Sequence, residues 1–237
     1  MTTLIAFDTA TERLTIALRH GDRTWSHAGE GGAKSSATLI PAILALLREA
    51  SLTLADLDAI AFGRGPGAFT GLRTACSVAQ GLAFGADKPV LPIDNLLAVA
   101  EQARAGADAF RVWTVIDARM AQIYAAEYEY ADGLWTVHVA PMLTDADALT
   151  RRWHDQPPSA IAGDALRVHA DRLSTGAAVL APQVTSDALS ILALAEAAWH
   201  AGEAVDAALA LPLYVRDKVA ETTVERAARA AATLASS

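Results

Sequence analysis

One cysteine, Cys76, occurs in the 237 residues. A lone thiol excludes an internal disulfide framework and cysteine-based zinc-finger spacing, fits a reducing compartment, and within an apolar helix reads as filler of core space. Charge is also scarce: 19% of residues are Asp, Glu, Lys or Arg, and acids outnumber bases 27 to 19 for a net charge of -8. A chain of that sign does not grip a nucleic-acid backbone by itself, because such affinity is mostly counterion release by clustered Lys and Arg. No run approaches the roughly 18 unbroken apolar residues of a membrane helix. "MTTLIAFDTA" lacks the basic flank and cleavage site of a secretory signal, so a soluble, cytoplasmic chain with no membrane partner is expected. The six histidines, His20, His27, His138, His154, His169 and His200, include no pair three to five apart, as a metal-binding helix face requires. No Gly-x-Ser-x-Gly elbow occurs either.

What the chain has in quantity is apolar residues, 53% of the total, enough to bury a core as one large or two small domains. Alanine is frequent and lets helices approach closely. "TLIAFD" at residues 3–8, "LTIAL" and "RTWSHA" predict an antiparallel meander with Asp8 at its first bend. With Ser35 or Ser36 as N-cap, "ATLIPAILALLREA" puts Leu39, Ile40, Ile43, Leu44 and Leu47 at helical spacing, provided Pro41 occupies the first turn. Leu46 and several alanines widen that stripe, so the helix either lies between layers or meets another chain. "LDAIAFG" predicts a buried strand, "LRTACSVAQGLAFGAD" a helix, "PVLPI" a strand and "NLLAVAEQARAG" a helix, the alternation of an α/β layer.

At "RVWTVIDARMAQIYAAEYEYADGLWTVHVAP" the pattern starts again, with Asp117 where Asp8 stood, which predicts a duplicated domain. "TDADALTRRW" and "SDALSILALAEAAWHAGE" predict further helices, and "LPLYVRDKVAETTVERAARAAATL" an extended piece followed by a mixed-charge helix. The expected division is 1–106 and 107–237, with the final helix a candidate to pack back on the first unit. Asp217, Lys218, Glu221, Glu225 and Arg226 read as a solvated helix face or as the polar rim of a contact.

Between strand and helix lies "GRGPGAFTGLR", Gly63 to Arg73, with four glycines and a proline in eleven residues. Two readings stand open. Its free amides and the helix dipole can hold an anion. Alternatively, Gly63, Gly65 and Gly67 supply positive φ, and Gly71 lets the helix start lie against the sheet. The segment fits neither standard phosphate signature. Asp8, with Thr9 and Thr11, is likewise either a carboxylate for a metal-bound water beside phosphate-binding hydroxyls or the acceptor of an Asx-turn, and Asp117 admits the same two readings.

"LIAFDTAT", "GRGPGAFTGLRTACSVAQGLAFG", "DARMAQIYAAEY" and "PLYVRDKVA" resemble the TsaB (YeaZ) family, from the first strand to the tail, the glycine block being the most specific part. The resemblance implies two related actin-like, ribonuclease H-like α/β domains, each a mixed sheet flanked by helices. It implies a non-catalytic subunit that pairs with its paralogue TsaD, works with the ATPase TsaE, and forms a homodimer when alone. Together these transfer threonylcarbamoyl from threonylcarbamoyl-AMP to N6 of the adenosine beside the tRNA anticodon, and tRNA is met only through the complex. The catalytic paralogue carries two histidines four apart on the helix that matches "SSATLIPAILALL", and residues 35–47 hold none, so no catalytic or metal residue is expected.

The nucleotide-binding residues that the resemblance implies are Asp8, Thr9, Thr11, Gly65 and Gly67. "DTAT" and "DARM" lack the Gly-Thr pairs of active superfamily kinases, so no resident cofactor and little ATP turnover are expected, leaving ATP or ADP for the partner interface. The glycine segment is then expected mainly to seat its helix. Leu39, Ile43, Leu47, Leu72, Ala75, Cys76, Ala79 and Leu82 are the expected partner contacts. An actin-like ATPase or kinase and a metallopeptidase-like protein are the alternatives, and neither finds its residues in the chain.

Overall fold

The computed structural model describes residues 1–216. Strands β1 (Thr3–Asp8), β2 (Arg13–His20) and β3 (Arg23–Glu30) form the antiparallel meander. β4 (Ala59–Gly65) and β5 (Val90–Asp94) join in parallel, in the order β3-β2-β1-β4-β5. Between and after these strands come α1 (Ser35–Glu49), α2 (Phe69–Ala86) and α3 (Asn95–Arg104). The plan then recurs with β6 (Phe110–Asp117), β7 (Gln122–Ala131), β8 (Leu134–Asp145), β9 (Ala160–Ala162) and β10 (Val179–Ala181). Their order is β8-β7-β6-β9-β10, with the same pairing senses. Helices α4 (Ala146–Asp155), α5 (Ala165–Val168) and α6 (Ala188–His200) occupy the places of the first three. Two related mixed sheets, each flanked by helices, are the α/β architecture expected.

The first sheet is covered on both faces, which explains why β1 and β4 read as unbroken apolar runs. What alternates along them is size. Ile5, Phe7, Ile60 and Phe62 face α1 and α2. Leu4, Ala6, Ala59 and Ala61 face α6, whose Ile191, Leu192 and Ala195 press into the space those alanines leave. α3 packs on the second sheet through Leu96, Val99 and Ala100 against Val112, Tyr124 and Ala126. α3 and α6 therefore lie together between the sheets, each helping to cover the other half's strands. On the outer face of the second sheet, α4 contributes Leu149 and Trp153.

Residue 106, the expected division, lies between α3 and β6. Helix α6, expected with the second unit, packs on the first sheet, and so do Ala207 and Ala210. The final helix and the tail charges from Asp217 onward lie outside the described residues. Pro41 departs from expectation, being the seventh residue of α1 rather than part of its first turn. Its missing N–H would have met the carbonyl of Ala37, and both residues are exposed, so water can take that carbonyl. No helix among the described residues is long and apolar enough to cross a membrane.

Candidate functional site

β1 and β6 end at the same opening between the sheets, and there the chain brings together the two Asp bends. Asp8 is 1% exposed. Its Oδ1 accepts from the Ala10 amide at 2.8 Å, the Asx-turn, and its Oδ2 accepts from Asn95 Nδ2 at 2.8 Å. Asn95 also donates to Ser186 Oγ at 2.9 Å and accepts from the Gly65 amide at 2.6 Å. The carboxylate is thus the centre of a buried network linking β1, β4, α3 and the start of α6. Asn95 had a sequence signal, as the polar residue directly after a buried strand, whereas Ser186 had none.

Burial pushes the Asp8 carboxyl above its ordinary value of 3.8, against hydrogen bonds from Ala10, Ser186 and Asn95 that pull it down. A carboxyl raised in this way holds its proton more tightly folded than unfolded. Its contribution to stability is therefore full at low pH and falls as pH rises from 3.8 through the folded value. Relative to Asp8→Asn, the parent chain should lose stability across that window, read as urea midpoints of both proteins over a pH series. Parallel curves for the two would mean that Asp8 has no raised value.

The glycine segment closes down on this bend. A Cβ on Gly71 would lie 1.9 Å from the Thr9 carbonyl oxygen, one on Gly67 2.7 Å from Ala10 Cβ, and one on Gly63 2.8 Å from both Asp8 Oδ1 and Asn95 Nδ2. Of the three glycines expected to supply positive φ, only Gly65 does so, at 124°; Gly63 and Gly67 are there for close approach. The amides of Gly65 and Ala68 already donate within the chain, to Asn95 Oδ1 and to the Ala10 carbonyl. Thr9 Oγ1 donates to the Gly71 carbonyl at 2.7 Å, and Thr11 Oγ1 bonds the backbone of Arg13. Of the expected nucleotide residues, Thr9, Thr11 and Gly67 line the cleft between the sheets; Asp8 and Gly65 lie behind it.

That cleft encloses about 520 Å³. Among the described residues its charged lining is Glu12, Asp117 and Asp164 against Arg119 and Arg216. Asp117 is held from behind, with His169 Nε2 3.1 Å from Oδ1 and Asp164 Oδ1 accepting from its amide at 3.0 Å. The following turn runs through Arg119, Met120 and Ala121, all left-handed, with φ of 63°, 54° and 57°, a conformation that non-glycine residues adopt at a cost. Asp164 and His169 carried no recognisable signal in sequence. Among the described residues no three His, Cys, Asp or Glu side chains stand together as a set that could hold a metal ion.

The expected partner contacts are corrected by the packing. Leu39, Ile43, Leu47, Ala75, Cys76 and Ala79 are buried in the chain's own first core, Leu82 is half-buried against it, and Leu72 is buried beside the cleft. Burial also pushes the Cys76 thiol up, and its Sγ lies 3.2 Å from the Ala210 carbonyl. The reason is geometric: a 3.6-residue repeat gives the sheet one stripe of each helix, and the most apolar stripe wins it. Outward on α1 stand Ser36, Ile40, Pro41 and Leu44, and outward on α2 stand Thr70, Arg73, Ser77, Gly81 and Phe84, the last 65% exposed. Ser36 and the first half of α2 share a shallow groove.

A family model described as TsaD, tRNA N6-adenosine threonylcarbamoyltransferase, matches residues 26–233. The tRNA threonylcarbamoyladenosine biosynthesis protein TsaB of Haemophilus influenzae is 45% identical over 127 residues, 53% of each chain. Its Escherichia coli counterpart is 37% identical over 133 residues, 56% of this chain and 58% of its own length. The matched stretch thus spans little more than half the length of these curated relatives. Among solved structures, YeaZ from Pseudomonas aeruginosa is 37% identical with a TM-score of 0.82, over 90% of this chain and 100% of its own.

Proposed function

The chain belongs to the TsaB (YeaZ) family, within the wider family described as TsaD, tRNA N6-adenosine threonylcarbamoyltransferase, and on that premise we propose that it is a supporting subunit of tRNA threonylcarbamoyladenosine synthesis. In this reading it has no reactive centre of its own. It offers the outer face of α1 and α2 to a TsaD partner, and the ATPase TsaE and the tRNA are engaged through that assembly. A second copy of the chain competes for the same face when TsaD is absent, and any ATP or ADP belongs to the assembly.

The observation that carries the proposal is the outward stripe of Ile40, Pro41, Leu44 and Phe84 on two adjacent helices, beside Gly81 and Gly85, where small residues permit close helix approach. The donor set supports it too. α1 offers no imidazole for a metal that would polarise the carbamoyl group, and the Asp8 bend, where a nucleotide-bound metal would be held, is closed by glycine contacts.

The test is reconstitution from purified TsaD, TsaE, tRNA and threonylcarbamoyl-AMP, omitting each component in turn. Without this chain, modification should fall by tenfold or more, and Phe84→Asp should behave like omission while keeping its unfolding midpoint, since a charge at a desolvated contact costs about 2–5 kcal/mol. Full modification without the chain would overturn the reading.

A further inference from the structure

Among the described residues the two halves meet in two ways. On one side, α3 and α6 pack between the sheets. On the other, where β1 and β6 end, the halves face each other across the 520 Å³ cleft. One link across that opening is the Arg119–Glu12 ion pair, whose side chains are 75% and 87% exposed, and such a pair holds little.

The second link is the segment after α6. Ala210 is buried in the first core, and its carbonyl accepts from Gln80 Nε2 at 3.0 Å. The Leu213 amide then donates to the Arg64 carbonyl at 2.7 Å. Gly65 makes the room, since a Cβ there would lie 2.7 Å from the Leu213 oxygen. The Tyr214 ring stands 5.5 Å from that of Phe69, and its hydroxyl accepts from Arg73 Nε at 3.0 Å. Within two residues the chain changes halves. Val215 packs with Ala118 and Tyr124, and Arg216 Nη2 donates to the Ala118 carbonyl and to Gln122 Oε1, each at 2.8 Å. Those two acceptors flank the left-handed turn Arg119–Ala121.

We propose that residues 213–216 are a clamp that holds the two halves at one separation and so sets the width of the cleft between them. Leu213 and Tyr214 are the jaw on the first half, and Val215 and Arg216 the jaw on the second. Opening the cleft, with α3 and α6 as the pivot, requires one jaw to let go. Because Arg216 also pins the turn that carries Arg119, release of this jaw frees the outer ion pair as well. The clamp acts within the chain and does not depend on the proposed partner.

Two measurements on the full chain test this. In the unmodified protein, native-state hydrogen exchange should show the Leu213 and Gln122 amides opening together, in a unit less stable than the amides of Ile5 and Phe62 in the core. Opening by separate routes would overturn the clamp. Second, spin labels at Asp22→Cys and Thr136→Cys, one on each half and both exposed, with native Cys76 buried, should report one narrow distance by pulsed electron resonance. Arg216→Ala should broaden that distance and speed exchange at Leu213 and Gln122 by roughly tenfold or more, since even one lost charge-assisted hydrogen bond accounts for tenfold. Glu12→Gln should change neither. An Arg216→Ala protein with the parent's distance and exchange overturns the clamp. Should that variant not fold, Arg216→Lys, which keeps the charge and loses the fork, is read on the same criteria.

Discussion

Replacing Gly71 by alanine is expected to cost about 3 kcal/mol or more of unfolding free energy, although alanine is the better helix former. The new methyl would lie 1.9 Å from the Thr9 carbonyl oxygen and 2.8 Å from its carbonyl carbon. Both are backbone atoms of a bend whose other contacts are fixed. The Thr9 hydroxyl bonds the Gly71 carbonyl, and the Asp8 network holds the residue before. Relief requires α2 to lift off the bend, which opens the first core at Ala75, Cys76 and Ala79. The same helix supplies the control. Gly81 is exposed with open space where a Cβ would go, so Gly81→Ala should stabilise by about 0.5–1 kcal/mol. Urea unfolding of the two variants decides the matter, and equal midpoints would mean that the close approach at Gly71 carries no weight.

The second large effect separates core from proposed docking face by one step along α1. Ile43 is 0% exposed and Leu44 is 37% exposed. Ile43→Asp places an unpaired charge among Phe7, Ile16 and Phe62 and should cost roughly 4 kcal/mol or more, a large part of the 5–15 kcal/mol that holds a typical domain. Its loss of any partner would be a consequence of unfolding. Leu44→Asp should leave stability within about 1 kcal/mol of the parent and still abolish co-purification with TsaD. Thermal unfolding beside pull-down on both variants gives the answer. A folded Leu44→Asp that binds TsaD as the parent does would remove α1 from the proposed interface.

Much of the fold was legible from periodicity and turn chemistry. The three-strand meander, its recurrence at Asp117 and the helices on either side of the glycine segment follow from local rules, because whether a stretch alternates or repeats at 3.6 depends on its own residues. The site was less legible. "IAF" announces burial on both faces without saying that Ala6 and Ala61 leave room for α6, a helix more than 120 residues further on in the sequence. The stripe of Leu39, Ile43 and Leu47 announced a contact without saying whether a sheet of the same chain or another molecule receives it.

By itself, the sequence determined the α/β alternation, the doubled plan with an Asp at each first bend, the want of imidazoles on α1 and the family resemblance. Each of these is a property of residue identity and order. Only the tertiary structure decided that the glycines serve close approach to Thr9 and Ala10, that Asp8 is buried beneath Asn95, that six of the eight expected contact residues are core, and that Arg216 reaches the Arg119 turn. Those outcomes depend on which distant backbone arrives within van der Waals or hydrogen-bond range, and that is settled by packing two sheets around α3 and α6 rather than by any local pattern.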